Sequence, residues 1–330
     1  MTVKAVLLYS GGLDSLLAAK VLMEQGVEVT ALHCLLPFTA PDFKSENLNA
    51  DKIAHQIGLK VVYYRCENDY INMLRKPKHG YGKRMNPCID CKIFFIKQAS
   101  MLMKEIGADF VATGEVVGQR PMSQMKNTLK HIINETDLEG RLVRPLSAKI
   151  LDPTIPEISG LIDREKLLNF SGRGRSSQIE LAEKYGIAEY QSPAGGCFLT
   201  DAFIAARVKD LLKRNDNADS VDMFLLTLGR HYRYSKKMKF IVGRNENENN
   251  ELEKYRSRAD IFLTPEFKGP ALYVSGEADD EAIDFLASVV LRYGKGEGDN
   301  KIYVYKGNDL LFEKFPIEKA GDDILIKMRI

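Results

Sequence analysis

KAVLLYSGGLDSLLAAKVL, residues 4–22, decides how the first half of the chain is read. AVLLY (5–9) is a continuous apolar run of strand length, as expected of a parallel strand buried on both faces. LLAAKVLMEQG (16–26) has helical spacing and stops on Gly26, a suitable C-cap. SGGLDS therefore lies where a strand hands over to a helix. Gly11 and Gly12 let the backbone approach a ligand and adopt positive φ, and the turn amides and helix N-terminus offer donors to an anion. Ser10 and Ser15 can add hydroxyl donors, while Asp14 suits a Mg²⁺ ion or an orienting contact. A Walker A loop is excluded, because the G-x-x-x-x-G-K-[ST] spacing is missing. The alternative is an ordinary strand–helix turn.

Working outward, strands are expected at 27–38, 59–66 and 108–114, and helices at 47–58 and 91–107. This alternation predicts an α/β parallel sheet with ligands at the carboxyl ends of its strands. Beyond residue 115 the order loosens, with a helix at 178–186 and a Gly-rich loop, QSPAGGCFLTD (191–201). After the helical AFIAARVKDLLKR (202–214), the polar NDNADS (215–220) is a candidate linker. The remainder alternates strand-like runs (KFIVG, ALYVSG, KIYVYKG, ILIKMRI) with a helix at 280–294, a smaller α+β domain. The domains are expected at 1–205 and 206–330, a division that suits 330 residues. An apolar fraction of 45% and the lack of a long apolar stretch lead to the expectation of a soluble chain with no membrane partner. With no signal peptide read, it is placed in the cytoplasm.

Net charge is only +2, but GRHYRYSKKMKFIVGR (229–244) has six Lys/Arg, a His and three aromatics without an acid, and RKPKHGYGKR (75–84) is wholly basic. Cations interleaved with aromatics fit phosphate contact and base stacking, so a nucleic acid partner is expected over a merely solvated surface. Lys126, Arg141 and Arg144 read as solvated cations, with steering of phosphates as the alternative.

The five cysteines are odd in number, which disfavours a disulfide framework. Cys34 and Cys66 read as small buried side chains. In NPCIDCK (86–92), Cys88 and Cys91 form a C-x-x-C at the start of a helix, where a thiolate is stabilised. The pair can bind zinc, act as a redox dithiol, or supply two ligands of an iron–sulfur cluster with Cys197 as the third.

The full SGGLDS string resembles the signature of PP-loop ATP pyrophosphatases. That resemblance implies cleavage of ATP between its α and β phosphates and adenylation of a substrate oxygen. NPCIDCK, GADFVATG (107–114), RSSQIELAEKYGI (175–187) and the distant Cys197 resemble the tRNA 2-thiouridylases of that superfamily. The match covers about residues 1–205, makes Cys91 and Cys197 the sulfur-handling pair with Asp14 as a third catalytic residue, and adds Gly114 to the nucleotide-binding residues Ser10, Gly11, Gly12, Asp14 and Ser15. Cys88 stands where that family has Asp, and Glu115 where it has His. The first change is similar to the iron–sulfur branch of tRNA thiolases, which implies a [4Fe–4S] cluster on Cys88, Cys91 and Cys197 in preference to a persulfide relay. KFIVGRNENENNELEKY (239–255), GPALYVSG (269–276) and KIYVYKGNDLLFEK (301–314) resemble the NFACT-R RNA-binding domain.

Together these resemblances imply an ATP- and Mg²⁺-dependent tRNA sulfurtransferase, with sulfide or a sulfur-carrier protein as the donor. The alternatives are a PP-loop adenylating enzyme acting on a small molecule and a non-catalytic, nucleotide-regulated RNA-binding protein. For the C-terminal domain, dimerisation is the alternative to RNA binding, which leaves a homodimer open.

Overall fold

The computed structural model describes residues 2–43, 49–138, 140–191 and 197–330. Its contacts divide the chain into two compact units, one of residues 1–201 and 217–220, the other of residues 202–216 and 221–330.

In the first unit the elements run β1 (Lys4–Leu8), α1 (Leu13–Met23), β2 (Glu28–Leu35), α2 (Asn49–His55), β3 (Lys60–Arg65), α3 (Asn68–Arg75), α4 (Cys88–Glu105), β4 (Phe110–Thr113), α5 (Lys126–Asn134), β5 (Leu142–Val143), α6 (Ile155–Ile158) and α7 (Ser176–Lys184). The five strands form a sheet of order β3-β2-β1-β4-β5, parallel at every pairing, as the sequence leads one to expect. The apolar run of β1 is explained by its two faces. Ala5 and Leu7 pack with Leu16, Leu17 and Ala54, whereas Val6 packs with Ile96, Ala99 and Met103 of α4. With helices on both faces, a strand has no polar side. The strand order reverses between β1 and β4, so the crevice at their carboxyl ends is the topological switch point of the sheet. SGGLDS leaves β1 into that crevice. Helix α4 starts three residues earlier than expected, so both Cys88 and Cys91 lie in its first turn.

In the second unit the elements are α8 (Ala202–Arg214), α9 (Ser220–Leu225), β6 (Arg230–Arg233), β7 (Lys239–Val242), α10 (Glu246–Lys254), β8 (Ile261–Pro265), β9 (Leu272–Ser275), α11 (Asp280–Tyr293), β10 (Ile302–Lys306), β11 (Asp309–Lys314) and α12 (Asp322–Met328). The six strands pair antiparallel in the order β11-β10-β8-β9-β7-β6. Ile283, Leu286, Ala287 and Val290 of α11 cluster with Phe240, Leu263, Val274 and Ile302 of the sheet. Asp279 caps α11 by accepting from the Ala282 amide at 2.9 Å. One strand expectation fails here: ILIKMRI is mostly the helix α12. Asp322 and Asp323 stand in its first turn, where the helix dipole favours acids, and this outweighs the β-branched residues that follow. Among the described residues, no helix is long and apolar enough to cross a membrane.

Candidate active site

The SGGLDS loop is built largely from backbone. Gly11 has φ +77°, and a Cβ there would stand 2.9 Å from Gln191 Nε2. Gly12 caps α1, and its carbonyl accepts from the Ser15 amide at 3.1 Å and the Ser15 hydroxyl at 2.8 Å. At the start of the helix the amides of Leu13 and Asp14 have no intrahelical acceptor by geometry. Gly114, just after β4, closes the loop from the other side. A Cβ on it would lie 2.6 Å from the backbone of Asp14 and Ser15, so only glycine fits. Asp14 Oδ2 accepts from Arg175 Nη2 at 3.1 Å, while its Oδ1 is buried without a partner. An orphaned carboxylate oxygen beside a helix N-terminus fits Mg²⁺–nucleotide binding. Arg175 lies in the quoted RSSQIELAEKYGI, but nothing in that string signals its pairing with Asp14.

The cysteines gather at the same end of the sheet. Cys91 is buried, and its Sγ shares a 3.2 Å hydrogen bond with the Tyr70 hydroxyl. Burial pushes the Cys91 thiol up to about 12, with Cys197 and Cys88 adding to the rise and the Tyr70 contact opposing it. The expected stabilisation of a thiolate by the helix N-terminus is therefore overturned for Cys91, because loss of solvation outweighs the dipole. Cys88 is half-buried and donates to Asn86 Oδ1 at 3.1 Å. Cys197 is exposed at the head of a short turn over Phe198–Thr200. Desolvation raises its thiol, as does Cys88, while the amides of Leu199 and Thr200 and the charge of Arg120 act the other way. The three predicted sulfur residues are thus within electrostatic reach of one another. Residues 192–196 of the Gly-rich loop lie outside the described residues.

Two connections fix this arrangement. The Gln191 amide donates to Gly11 O at 3.2 Å, tying the segment that runs to Cys197 to the SGGLDS loop. The Met85 amide donates to Leu199 O at 3.3 Å, and Arg84 donates to Thr200 O, holding the Cys197 turn against the stretch that leads into Cys88. Arg84 has φ +60°, the left-handed region that a non-glycine residue occupies at a cost.

Tyr70 is a site residue that the sequence reading missed. ENDYINML has no motif, and only the fold brings the ring to Cys91. Cys66 is buried as expected, but its thiol also hydrogen-bonds that of Cys34, which raises its pKa beyond the effect of burial.

The expected solvation of Arg144 is overturned by its ion pair with Glu115. Arg144 is 3% exposed, not solvated, and its Nε donates to Glu115 Oε2 at 2.9 Å. Lys92 donates to the other carboxylate oxygen, and Thr113 Oγ1 to the same one as Arg144 at 3.2 Å. Burial alone would raise the Glu115 carboxyl; the two cations reverse this and hold it at about 2. The glutamate in place of histidine is thus the centre of a buried ion triad joining β4, α4 and the end of β5. Lys126 and Arg141 are exposed as expected.

In the second unit the basic stretch 229–244 is only partly available to a ligand. His231, Tyr232 and Lys239 are buried, and Arg233 is paired with Asp210. Burial lowers the Lys239 ammonium to about 7. Lys236 and Lys237, in the β6–β7 turn, are exposed, and Arg230 lies 4.8 Å from the centre of the Tyr293 ring.

Comparison with known proteins follows the two units. Residues 1–150 match the family model of the thiamine biosynthesis protein ThiI, and residues 229–317 that of the NFACT protein RNA binding domain. A probable tRNA sulfurtransferase of Thermococcus kodakarensis is 32% identical over 124 residues, covering 38% of this chain and 32% of that protein. One from Methanobrevibacter smithii is 36% identical over 136 residues, covering 38% and 33%. The tRNA-specific 2-thiouridylase MnmA of Sulfurimonas denitrificans is 34% identical over 122 residues, covering 36% of each. The chain thus spans about a third of the length of these relatives. Among solved structures, a 4-thiouridine synthetase–RNA complex with bound ATP aligns with TM-score 0.41 at 21% identity, over 67% of this chain and 53% of that one. Residues 1–150 are accordingly a PP-loop domain of the ThiI family, homologous to tRNA sulfurtransferases and 2-thiouridylases, and residues 229–317 are an NFACT RNA-binding domain.

Proposed function

We propose that this protein is an ATP-dependent tRNA sulfurtransferase that acts in the cytoplasm. Residues 1–205 carry the chemistry and residues 206–330 hold the RNA. One observation supports the reading most strongly. The segment whose Gln191 pairs with the nucleotide loop runs on to Cys197, which lies within electrostatic reach of Cys88 and Cys91.

In this mechanism the loop amides, with Ser10, Gly11, Gly12 and Ser15, cradle the phosphates of ATP, and Asp14 Oδ1 holds the magnesium ion. Gly114 leaves room for that cradle. A carbonyl oxygen of a tRNA base, most simply of a uridine, attacks the α-phosphorus and pyrophosphate departs. The donors fixed around the phosphates offset the charge that develops there. A sulfur atom then adds at the activated carbon, AMP leaves with the original oxygen, and the base keeps a carbon–sulfur bond. Cys91 and Cys197 handle that sulfur, which comes from sulfide or a sulfur-carrier protein.

Three thiols with no hard ligand among them suit a soft iron–sulfur centre. Among the described residues they do not converge within the 4.8 Å that one shared ion requires. When bound on Cys88, Cys91 and Cys197, a [4Fe–4S] cluster supplies an iron with an open position for sulfide.

The test is nucleoside mass spectrometry of bulk tRNA incubated anaerobically with ATP, Mg²⁺, sulfide and reconstituted protein. An oxygen-to-sulfur mass change that needs ATP is expected, and Cys197→Ala should remove it while leaving pyrophosphate release intact. Folded, iron-loaded protein that thiolates no tRNA nucleoside would sink the proposal. Pyrophosphate release with a small molecule would then identify the activity as adenylation outside RNA.

A further inference from the structure

Away from the cysteines, a second group of ligating atoms meets between α5 and the segment that leads into α4. His79, His131 and Glu135 each present one ligand atom, and the three lie within 4.8 Å of one another. His79 Nε2 and His131 Nε2 face each other at 2.8 Å, and Glu135 Oε1 is 4.0 Å from His79 Nε2. His131 and Glu135 are four residues apart at the end of α5, so they project from one face.

The surroundings of His79 set its chemistry. Its Nδ1 lies 3.2 Å from Oδ1 of Asp90, a buried carboxylate that also accepts from the amides of Lys78 at 2.9 Å and His79 at 3.1 Å. A ring that donates Nδ1–H to a fixed carboxylate turns its Nε2 lone pair outward, here towards His131. Carboxylate–histidine pairs orient metal ligands in this way. In the described structure the cation beside Glu135 is the Lys78 ammonium, at 2.6 and 2.7 Å from its two oxygens. The Lys78 side chain is 68% exposed, so it can swing into solvent and give up that place.

We propose that His79, His131 and Glu135 bind a divalent first-row transition ion of the Zn²⁺ type, separate from the cysteine corner. Two imidazoles and one carboxylate are borderline ligands that suit zinc, and three protein ligands leave a fourth position for water or substrate. The ion would pin residues 76–87, the stretch that leads directly into Cys88, onto α5. It would thus set where the C-x-x-C stands without touching either sulfur. The site does not depend on the sulfur-transfer reading.

The experiment is metal titration of the full chain after removal of metals by chelation, with Zn²⁺ in competition with a chromogenic chelator and Co²⁺ as the spectroscopic probe. One equivalent of Co²⁺ should give ligand-field bands without a thiolate-to-metal charge-transfer band. His131→Ala, at an exposed position that should not disturb folding, and Glu135→Gln should each weaken Zn²⁺ binding at least about tenfold. Asp90→Asn, which removes the orienting charge, should weaken it by about 10- to 100-fold. Zn²⁺ should raise the melting temperature of the wild type and not that of His131→Ala. The proposal fails if the folded chain takes up no Zn²⁺, if His131→Ala binds it as tightly as wild type, or if every bound Co²⁺ shows the thiolate band. In the first case the 2.8 Å contact is only a hydrogen bond between two rings. In the others the metal lies elsewhere, on the cysteines where the thiolate band accompanies it.

Discussion

At the carboxyl end of one sheet, Gly11, Gly12 and Gly114 make a site by lacking side chains, whereas Cys91 and Tyr70 make one by filling space with them. The glycine loop presents backbone amides that are already in place and need no change of protonation. Cys91, by contrast, is closed off from solvent, and burial holds its thiol at about 12. A thiol must lose its proton before it binds iron or attacks sulfur. The glycine loop and the cysteine corner should therefore respond to different perturbations, although Gln191 and Arg84 tie their segments together.

The largest expected effect tests the closed state. With its pKa near 12 rather than the ordinary 9.0, metal-free Cys91 should alkylate about 10³-fold more slowly than an ordinary cysteine at pH 8. Peptide mass spectrometry after timed iodoacetamide treatment reads this directly, with Cys197 reacting well before Cys91. Equal rates would show that the corner is open and remove the contrast. Asp14→Asn attacks the other side. It keeps the shape of the loop but removes the charge on the orphaned oxygen, and should lower ATP-dependent pyrophosphate release by about 10²–10³-fold. Cys91 alkylation should not change. If both move together, the two regions are one cooperative unit.

Glu115→Gln tests the ion triad that joins β4, α4 and the end of β5. Leaving the buried Arg144 and the half-buried Lys92 without a counter-charge should cost about 3–5 kcal/mol of folding stability. The pH dependence has a defined sign. The folded carboxyl titrates near 2, below its ordinary 4.5, so its contribution is complete above about 4.5 and disappears as pH falls towards 2. The difference in melting temperature between wild type and Glu115→Gln should therefore be widest at neutral pH and close on acidification. A difference that is constant with pH would mean that the glutamate is not charged in the fold.

How much of this was legible in sequence depended on whether the signal was local. The alternation of apolar runs and helical spacing gave the parallel sheet, and Ser-Gly-Gly after a strand marked the nucleotide loop, because both are properties of neighbouring residues. Cys88, Cys91 and Cys197 were named by motif, and the fold brings them together. Tyr70, Arg175 and Gln191 had no local signal, since each meets its partner only across the sheet or from a distant loop. The pKa of Cys91 and the burial of Arg144 have no local signal for the same reason: charge type is visible in a sequence, but solvation is not. His79 lay inside a stretch read only for its positive charge.

The basic stretch of the NFACT domain offers the mildest test, and it separates charges that a sequence counts alike. Lys236 and Lys237 are exposed, whereas Lys239 is buried with its ammonium lowered to about 7. Phosphate contact releases counterions, so each cation that touches RNA steepens the fall of affinity with salt, by roughly one in the log–log slope. Replacing Lys236 and Lys237 together by alanine should weaken tRNA binding at low salt and reduce the slope by about one to two. Lys239→Met, similar in volume and uncharged, should leave the slope unchanged, because a side chain closed off from solvent cannot reach a phosphate. If instead Lys239→Met lowers the slope and the double variant does not, RNA is held on a surface that β7 presents only after rearrangement, and the exposed turn is a solvated loop.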